Sequence, residues 1–331
     1  MFPNVNYIGN KRKLSSWIIS KIPSDVETVT DAFAGGGSVS YAFKENNYDL
    51  VTNDVLFSSF VICKALIENK DTILAPKVFD NLDYYVNKKS DKLNWMKNDL
   101  YFDYEVDELE RIVNFAKDNL IGYEYYIFLA LLRRAMIRKL PYSRMNVNWE
   151  NIVKLRDEEY SYKKYGRKRA YHNKSFEFHM LDAVNDYNLS VFDSGKFVKA
   201  EHMDVIELLK KYPKRDLLYL DPPYPGTMNN YDSFYGKFDE IFGVSEFHMD
   251  LTKKYIFLEN MKKIFKMSSS YKYVMISYNN SISPSEEKFI EVMKEFGNVE
   301  IFSQKHNYQL SGKSEKNKNM ERLALIKMWG D

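Results

Sequence analysis

Cysteine is almost absent: Cys63 stands alone in 331 residues. One thiol excludes an intramolecular disulfide framework and any multi-cysteine zinc site. No apolar run approaches the roughly 18–20 residues that span a bilayer, and residues 1–20 lack a signal-peptide core. The five histidines fall at no metal-ligand spacing. These absences predict a cytoplasmic protein with neither membrane association nor a metal. Net charge is low too, at +2, so what charge reveals must come from its distribution.

What is present is more informative. Hydrophobic residues make up 45% of the chain, enough to exclude wholesale disorder. The length suits one large domain or two modest ones. Between Arg133 and Lys174 thirteen Lys or Arg face four Asp or Glu, while Asp99–Glu110 is acidic. Local basic excess mixed with tyrosine, 26 residues of it, suits a surface that meets a polyanion. An A·T-rich genome's codon usage would produce the same richness in tyrosine and lysine.

The order of elements narrows the fold. A loop at Asn4–Asn10 precedes an amphipathic helix near Leu14–Ile22. Thr28–Phe33 reads as a strand that runs into Ala34-Gly35-Gly36-Gly37-Ser38, a helix to about Glu45, and a second strand, Tyr48–Thr52, ending at Asn53-Asp54. Strand, glycine turn, helix, strand, acid is the order of a nucleotide-binding half of a doubly wound sheet. From Phe57 to Tyr142 the pattern is helical, and Tyr142–Lys174 reads as a basic loop or hairpin. Strand signals resume at Lys196–Lys199 and Asp216–Leu220, with a helix at Asp204–Lys211 between them. A polar, aromatic loop to about Phe242, a helix at Met249–Phe265, a strand at Tyr271–Ser277 and a capped helix at Ser283-Pro284 follow. Closing strands at Val299–Phe302 and Glu321–Trp329 flank a charged loop, Gly312–Asn319. The expectation is an α/β sheet formed by residues 1–56 and 196–331, interrupted by a mostly helical insertion, 57–195.

Asp221-Pro222-Pro223-Tyr224 carries the sharpest chemistry. It follows Leu217-Leu218-Tyr219-Leu220, so it lies at the carboxyl end of a buried strand, where open α/β sheets bind ligands. Two prolines offer carbonyl acceptors and no N–H donors. A carboxylate beside them suits an amino group, and the Tyr224 ring can stack on a planar base. A rigid turn with an aspartate cap is the plain structural alternative. Glycines in Asp31-Ala32-Phe33-Ala34-Gly35-Gly36-Gly37 let a ligand approach the backbone, and Asp54 is placed to bind both hydroxyls of a ribose.

These motifs, in this order, resemble the Dam-type, alpha-class DNA adenine-N6 methyltransferases. There a glycine motif precedes the target-recognition insertion and Asp-Pro-Pro-Tyr follows it. The resemblance covers most of the chain and implies a Rossmann-like, S-adenosylmethionine-dependent methyltransferase sheet. Tyr7-Ile8-Gly9-Asn10-Lys11 looks like that family's aromatic-x-Gly-Gly-Lys segment, with Asn10 replacing the second glycine. By that similarity Tyr7, Lys11, Phe33, Gly35, Gly37, Asp54, Asp204 and Asp221 would contact S-adenosylmethionine, and Asp221, Pro222, Pro223 and Tyr224 would carry catalysis. Arg144-Met145-Asn146 looks like an Arg-x-Asn that precedes a DNA-contacting hairpin. Phe247-His248 and Leu251 resemble a segment after the catalytic loop, with no catalytic role for His248.

The implied activity is transfer of a methyl group to the adenine N6 amine of a flipped base in a specific duplex DNA sequence. Arg133, Arg134, Arg138, Arg144, Asn146, Lys163, Lys164, Arg167, Lys168 and Arg169 are the expected DNA contacts, with Lys313, Lys316 and Lys318 a weaker second set. A solvated basic face is the bland reading of the same charges. Cytosine-N4 methylation uses the same planar-amine chemistry, although Asp at the first motif position leans towards adenine. An RNA or protein-amide methyltransferase and a catalytically silent DNA-binding protein are the other readings. The sequence carries no nuclease constellation, so a cognate restriction endonuclease would be a separate partner.

Overall fold

A computed structural model describes residues 1–85, 91–225, 230–305 and 320–329. Its helices are α1 (Ser15–Ile19), α2 (Ser38–Glu45), α3 (Phe57–Cys63), α4 (Asp103–Asn119), α5 (Gly122–Arg138), α6 (Trp149–Arg156), α7 (Glu158–Tyr165), α8 (Phe176–Asn188), α9 (Val205–Lys211), α10 (Tyr231–Phe242), α11 (Phe257–Met267) and α12 (Glu286–Lys294). Its strands are β1 (Thr28–Asp31), β2 (Asp49–Asn53), β3 (Val198–Glu201), β4 (Leu217–Leu220), β5 (Tyr273–Asn279), β6 (Gly297–Lys305) and β7 (Met320–Met328).

The chain forms two compact units. The sheet unit comprises Gly9–Cys63, Ser194–Tyr231 and Ser245–Asp331. Its seven strands run in the order β3-β2-β1-β4-β5-β7-β6. The first five are parallel, and β7 pairs antiparallel with both β5 and β6. Leu217 to Leu220 are all buried, the continuous apolar run expected of a strand covered on both faces. Beneath the strands, α9, α11 and α12 pack on one apolar cluster with Leu218, Val274, Ile276, Phe257, Phe265 and Phe289 at its centre. This is a doubly wound α/β sheet of the kind the motifs imply.

The amino ends of β1, β4 and β5 meet at Asp216. Its Oδ2 accepts the Glu27 and Thr28 amides and the Thr28 hydroxyl, and Lys272 pairs with Oδ1 at 2.7 Å. Burial alone would push this carboxyl up. The donors from Lys272, Glu27 and Thr28 outweigh it and hold the pKa at about 2.

The helical unit comprises Met1–Ile8, Lys64–Asp193 and Asp232–Val244, so it includes chain on both sides of the expected 57–195 insertion. At its centre α5 is enclosed on all sides: every residue from Ile127 to Ile137 is buried, Arg133 and Arg134 included. Glu105 on α4 is buried with Lys139 and Arg156, at 2.7 and 2.6 Å.

Two expectations change here. Residues 149–165 form α6 and α7, not a hairpin, each started by an Asx cap, Asn148 or Asp157. The expected loop before Phe242 contains α10. The charged loop with Lys313, Lys316 and Lys318 lies outside the described residues.

Candidate active site

In the sheet unit the strand order reverses between β1 and β4, which is where an open α/β sheet forms its ligand crevice. Asp31 ends β1, and Asp221 directly follows β4. Next to them, Asn53 ties three strand ends together. Its amide donates to the carbonyls of Ala32 and Met203, and its Oδ1 accepts the Met203 amide.

The glycine turn is held from β2. Asp54 Oδ2 accepts the Gly35 amide at 2.7 Å, and Oδ1 accepts the Leu56 amide at 2.9 Å. Gly35 and Gly37 have φ of +52° and +78°, the left-handed region that glycine enters without strain. Gly37 caps α2, so the turn hands the chain directly to a helix N-terminus. Phe33 is partly buried against the apolar cluster. Asp204 caps α9 through the Ile206 amide, and its Oδ2 accepts the Met249 amide. It thereby fixes the turn after β3 to the segment before α11.

Lys11 is brought to Asp221 by the turn before α1. Gly9 in that turn has φ +79°, and a Cβ there would lie 2.7 Å from the Tyr231 hydroxyl. Only glycine fits. Lys11 is 5% exposed, and its Nζ lies 3.3 Å from Asp221 Oδ1 and 2.7 Å from Glu321 Oε1. Glu321, on β7, is fully buried and accepts the Ser277 hydroxyl. Asp221 keeps 21% of its side chain open. Pro222 is buried, and Pro223 is partly so. Tyr224 is only 8% exposed and packs in the apolar cluster. In this conformation its ring does not stand free to stack on a base.

The acids at the two ends of the sheet differ in a way that locates the chemistry. Asp216, at the amino ends, is saturated with donors and strongly acidic. At the carboxyl ends, burial pushes Asp221 up to about 6; Lys11 opposes the shift, and Glu321 adds to it. Burial pushes Asp31 up to about 7, against the Ser40 hydrogen bond and with help from the Asp221 and Asp54 charges. Asp31 Oδ2 accepts the Ser40 hydroxyl, and the Phe33 amide also opposes the rise. Two carboxyls whose burial disfavours their charged forms therefore stand side by side at this end of the sheet.

In the helical unit the expected DNA contacts separate into two groups. Arg133 is fully buried: its Nη1 donates to the Val5 carbonyl at 2.7 Å, and its guanidinium lies 5.4 and 4.6 Å from the rings of Tyr7 and Tyr235. Tyr7 stacks on Tyr235 at 4.8 Å. Arg134, 8% exposed, donates to the carbonyls of Asn4 and His179. These two arginines pin the N-terminal segment to α5 and present nothing to a phosphate, which corrects their assignment as DNA contacts.

The remaining cations are accessible. Lys163, Lys164, Arg167 and Lys168 are exposed on and just after α7. Arg169 is half-buried against Tyr165, Arg138 against Tyr171, and Arg144 against Tyr142 and Phe234. Asn146 is exposed and donates to the Ser233 hydroxyl.

Comparison with known proteins decides the family. The family model for D12 class N6 adenine-specific DNA methyltransferases matches residues 7–310. The chain is 40% identical to the type II methyltransferase M2.HphI of Haemophilus parahaemolyticus, over 98% of both chains. It is also 22% identical to M.NlaIII of Neisseria lactamica over 94% of each, and 25% identical to the StsI modification methylase of Streptococcus sanguinis, covering 51% of that longer protein.

The chain belongs to the D12 class of N6 adenine-specific DNA methyltransferases.

Its substrate is therefore DNA, and its methyl donor S-adenosylmethionine. No helix among the described residues is long and apolar enough to cross a membrane. The residues fit the donor: a sulfonium and an ammonium suit a sheet end where Asp31, Asp54 and Asp221 cluster. Three residues of this methyltransferase escaped the sequence reading. Asp31 was visible in the glycine motif but carried no role, and its position as the last residue of β1 was the available signal. Asn53 stood beside Asp54 and read as strand. Glu321 gave no local signal, because only strand pairing across the sheet brings it to Lys11.

Proposed function

We propose that Asp221 and the Pro222 carbonyl accept the two N–H groups of an extruded adenine's N6 amine and so make its nitrogen the nucleophile. One observation carries this reading: a partly open carboxylate with a raised pKa stands at the strand-order reversal and heads an acceptor-only turn. Adenine's amino lone pair is delocalised into the ring. Two acceptors placed at its hydrogens favour a tetrahedral nitrogen and face the positive charge that develops during transfer. Asp221 need not be a strong base, since a methylated ammonium is acidic enough to lose its proton late. Alignment of the two reactants is worth up to about 7–11 kcal/mol.

When bound, S-adenosylmethionine supplies an electrophilic methyl on sulfur. For its holding we assign the Gly35–Gly37 turn, braced by Asp54, together with Phe33, Lys11 and Asp204. To these we add Asp31, whose buried carboxyl beside the glycine turn suits the ammonium. Tyr7 is assigned to the donor through the family resemblance. Extruding the base costs a few kcal/mol, and the exposed Lys163, Lys164, Arg167 and Lys168 would hold the duplex by its phosphates. Arg144 and Asn146 are the candidates for reading base edges. In the cytoplasm, a separate restriction endonuclease with the same recognition sequence is the proposed partner.

Expressing the protein in a methylation-free host and sequencing its DNA with modification-sensitive reads tests this. N6-methyladenine in one recurrent sequence is expected. Modification of cytosine N4 instead, or of no DNA base, would overturn the proposal.

A further inference from the structure

Lys11 is held by two carboxylates of different kinds. Asp221 is partly open at the sheet's carboxyl end, whereas Glu321 is fully buried and fixed on β7 opposite Asn279 of β5. The shorter contact is to the buried one, 2.7 Å against 3.3 Å. The Ser277 hydroxyl donates to the same Glu321 oxygen at 2.6 Å, which fixes its rotamer from the neighbouring strand. A lysine with four rotatable carbons and a single acid partner would close on that partner. Here a second, better-placed acid holds it back.

We propose that Glu321 is a positioning residue for methyl transfer: it anchors the Lys11 ammonium so that Asp221 keeps acceptor capacity for the adenine amine. This rests on the role of Asp221 proposed above. Without Glu321 the ammonium would lean further onto Asp221 and compete for the oxygen that the amine needs. The titratable groups facing Asp221 are Lys11, Glu321, Asp31 and Tyr219. Of these, Glu321 opposes ionisation of Asp221 through its charge. Its removal therefore has a definite sign: Asp221 becomes more acidic and a poorer acceptor.

Glu321→Gln keeps the shape and a carbonyl oxygen for Ser277 and Lys11 but removes the charge. The expected result is a kcat lower by about 10–100-fold, with KM for DNA near wild type. The acid limb of the pH profile should also move to lower pH. A variant weakened only in folding would lose active enzyme without moving that limb. In a Lys11→Met background, Glu321→Gln should change kcat no further.

Should Glu321→Gln fail to fold, Ser277→Ala reads the same anchor more gently, with a several-fold loss in kcat and KM kept. A wild-type kcat and an unmoved acid limb in the folded variant overturn the proposal. So does an equal loss with and without Lys11. Asp221→Asn, measured alongside, separates the two ideas. If it retains turnover, the role of Asp221 fails; if it is inactive while Glu321→Gln and Ser277→Ala match wild type, only the role of Glu321 fails.

Discussion

Asp31 and Asp221 end adjacent parallel strands, and the charge on Asp221 helps to keep the Asp31 carboxyl protonated. Burial is the larger cause for both groups. Together they make the carboxyl end of this sheet a place where ionising both carboxyls is costly until a cation arrives. That tension between fold and ligand leads to the first two predictions.

The first concerns stability. Asp31 has a folded pKa of about 7 against an ordinary 3.8. Between those values the folded protein binds more protons than the unfolded chain, so stability falls as pH rises through the window. The loss is complete above about 7. Asp31→Asn removes it. The variant should be more stable than wild type at pH 8, by up to about 4 kcal/mol, and equal to it near pH 4. Its affinity for S-adenosylmethionine should fall. Denaturant melts at the two pH values, with calorimetric titration of the donor, check both; equal melts at pH 8 would remove the argument.

The second concerns rate. Asp221 must be ionised to accept the amine, and its free-enzyme pKa lies at about 6. The kcat/KM profile for DNA, which reports the free enzyme, should therefore fall on the acid side with an apparent pKa near that value. Since Asp31 titrates close by, the step belongs to the coupled pair. A flat profile down to pH 5 would contradict the assignment.

The third separates buried from exposed arginine and lysine. Neutralising Lys163, Lys164, Arg167 and Lys168 should flatten the dependence of DNA affinity on salt, by up to about 0.9 logarithmic units for each phosphate that a side chain no longer neutralises. Arg133→Met should leave the slope unchanged and destabilise the helical unit, on the order of 3 kcal/mol, because its charged hydrogen bonds and its packing against two rings disappear. Filter binding across a salt series and thermal melts would distinguish the two; a slope that answers to Arg133 would place that residue on the DNA.

The pattern of success in the sequence has physical causes. Residues 28–54 were readable because strand, glycine turn and helix punctuate one another within thirty residues. Asp221 was readable because a rare tetrapeptide follows an apolar strand. Helix α10 was missed although Tyr231, Phe234, Tyr235, Phe238 and Ile241 recur at helical spacing, because polar residues and aromatics together read as a loop. The expected start of α11 at Met249 fails because Asp250 turns the chain locally, accepting from the Thr252 amide and hydroxyl. Arg133, Arg134, Lys139 and Arg156 counted towards a basic surface but are buried, because each finds carbonyl or carboxylate partners far away in the chain. Charge is visible in a sequence; its partner is not.

The most direct test is Asp221→Asn, assayed with labelled S-adenosylmethionine and duplex DNA containing the recognition sequence. Donor affinity and DNA affinity should stay within a few-fold of wild type, while transfer to adenine N6 falls by at least about 10²–10³, the cost of removing one essential charge-stabilising acceptor. Transfer at a wild-type rate, or loss of binding together with transfer in a folded protein, would contradict the account.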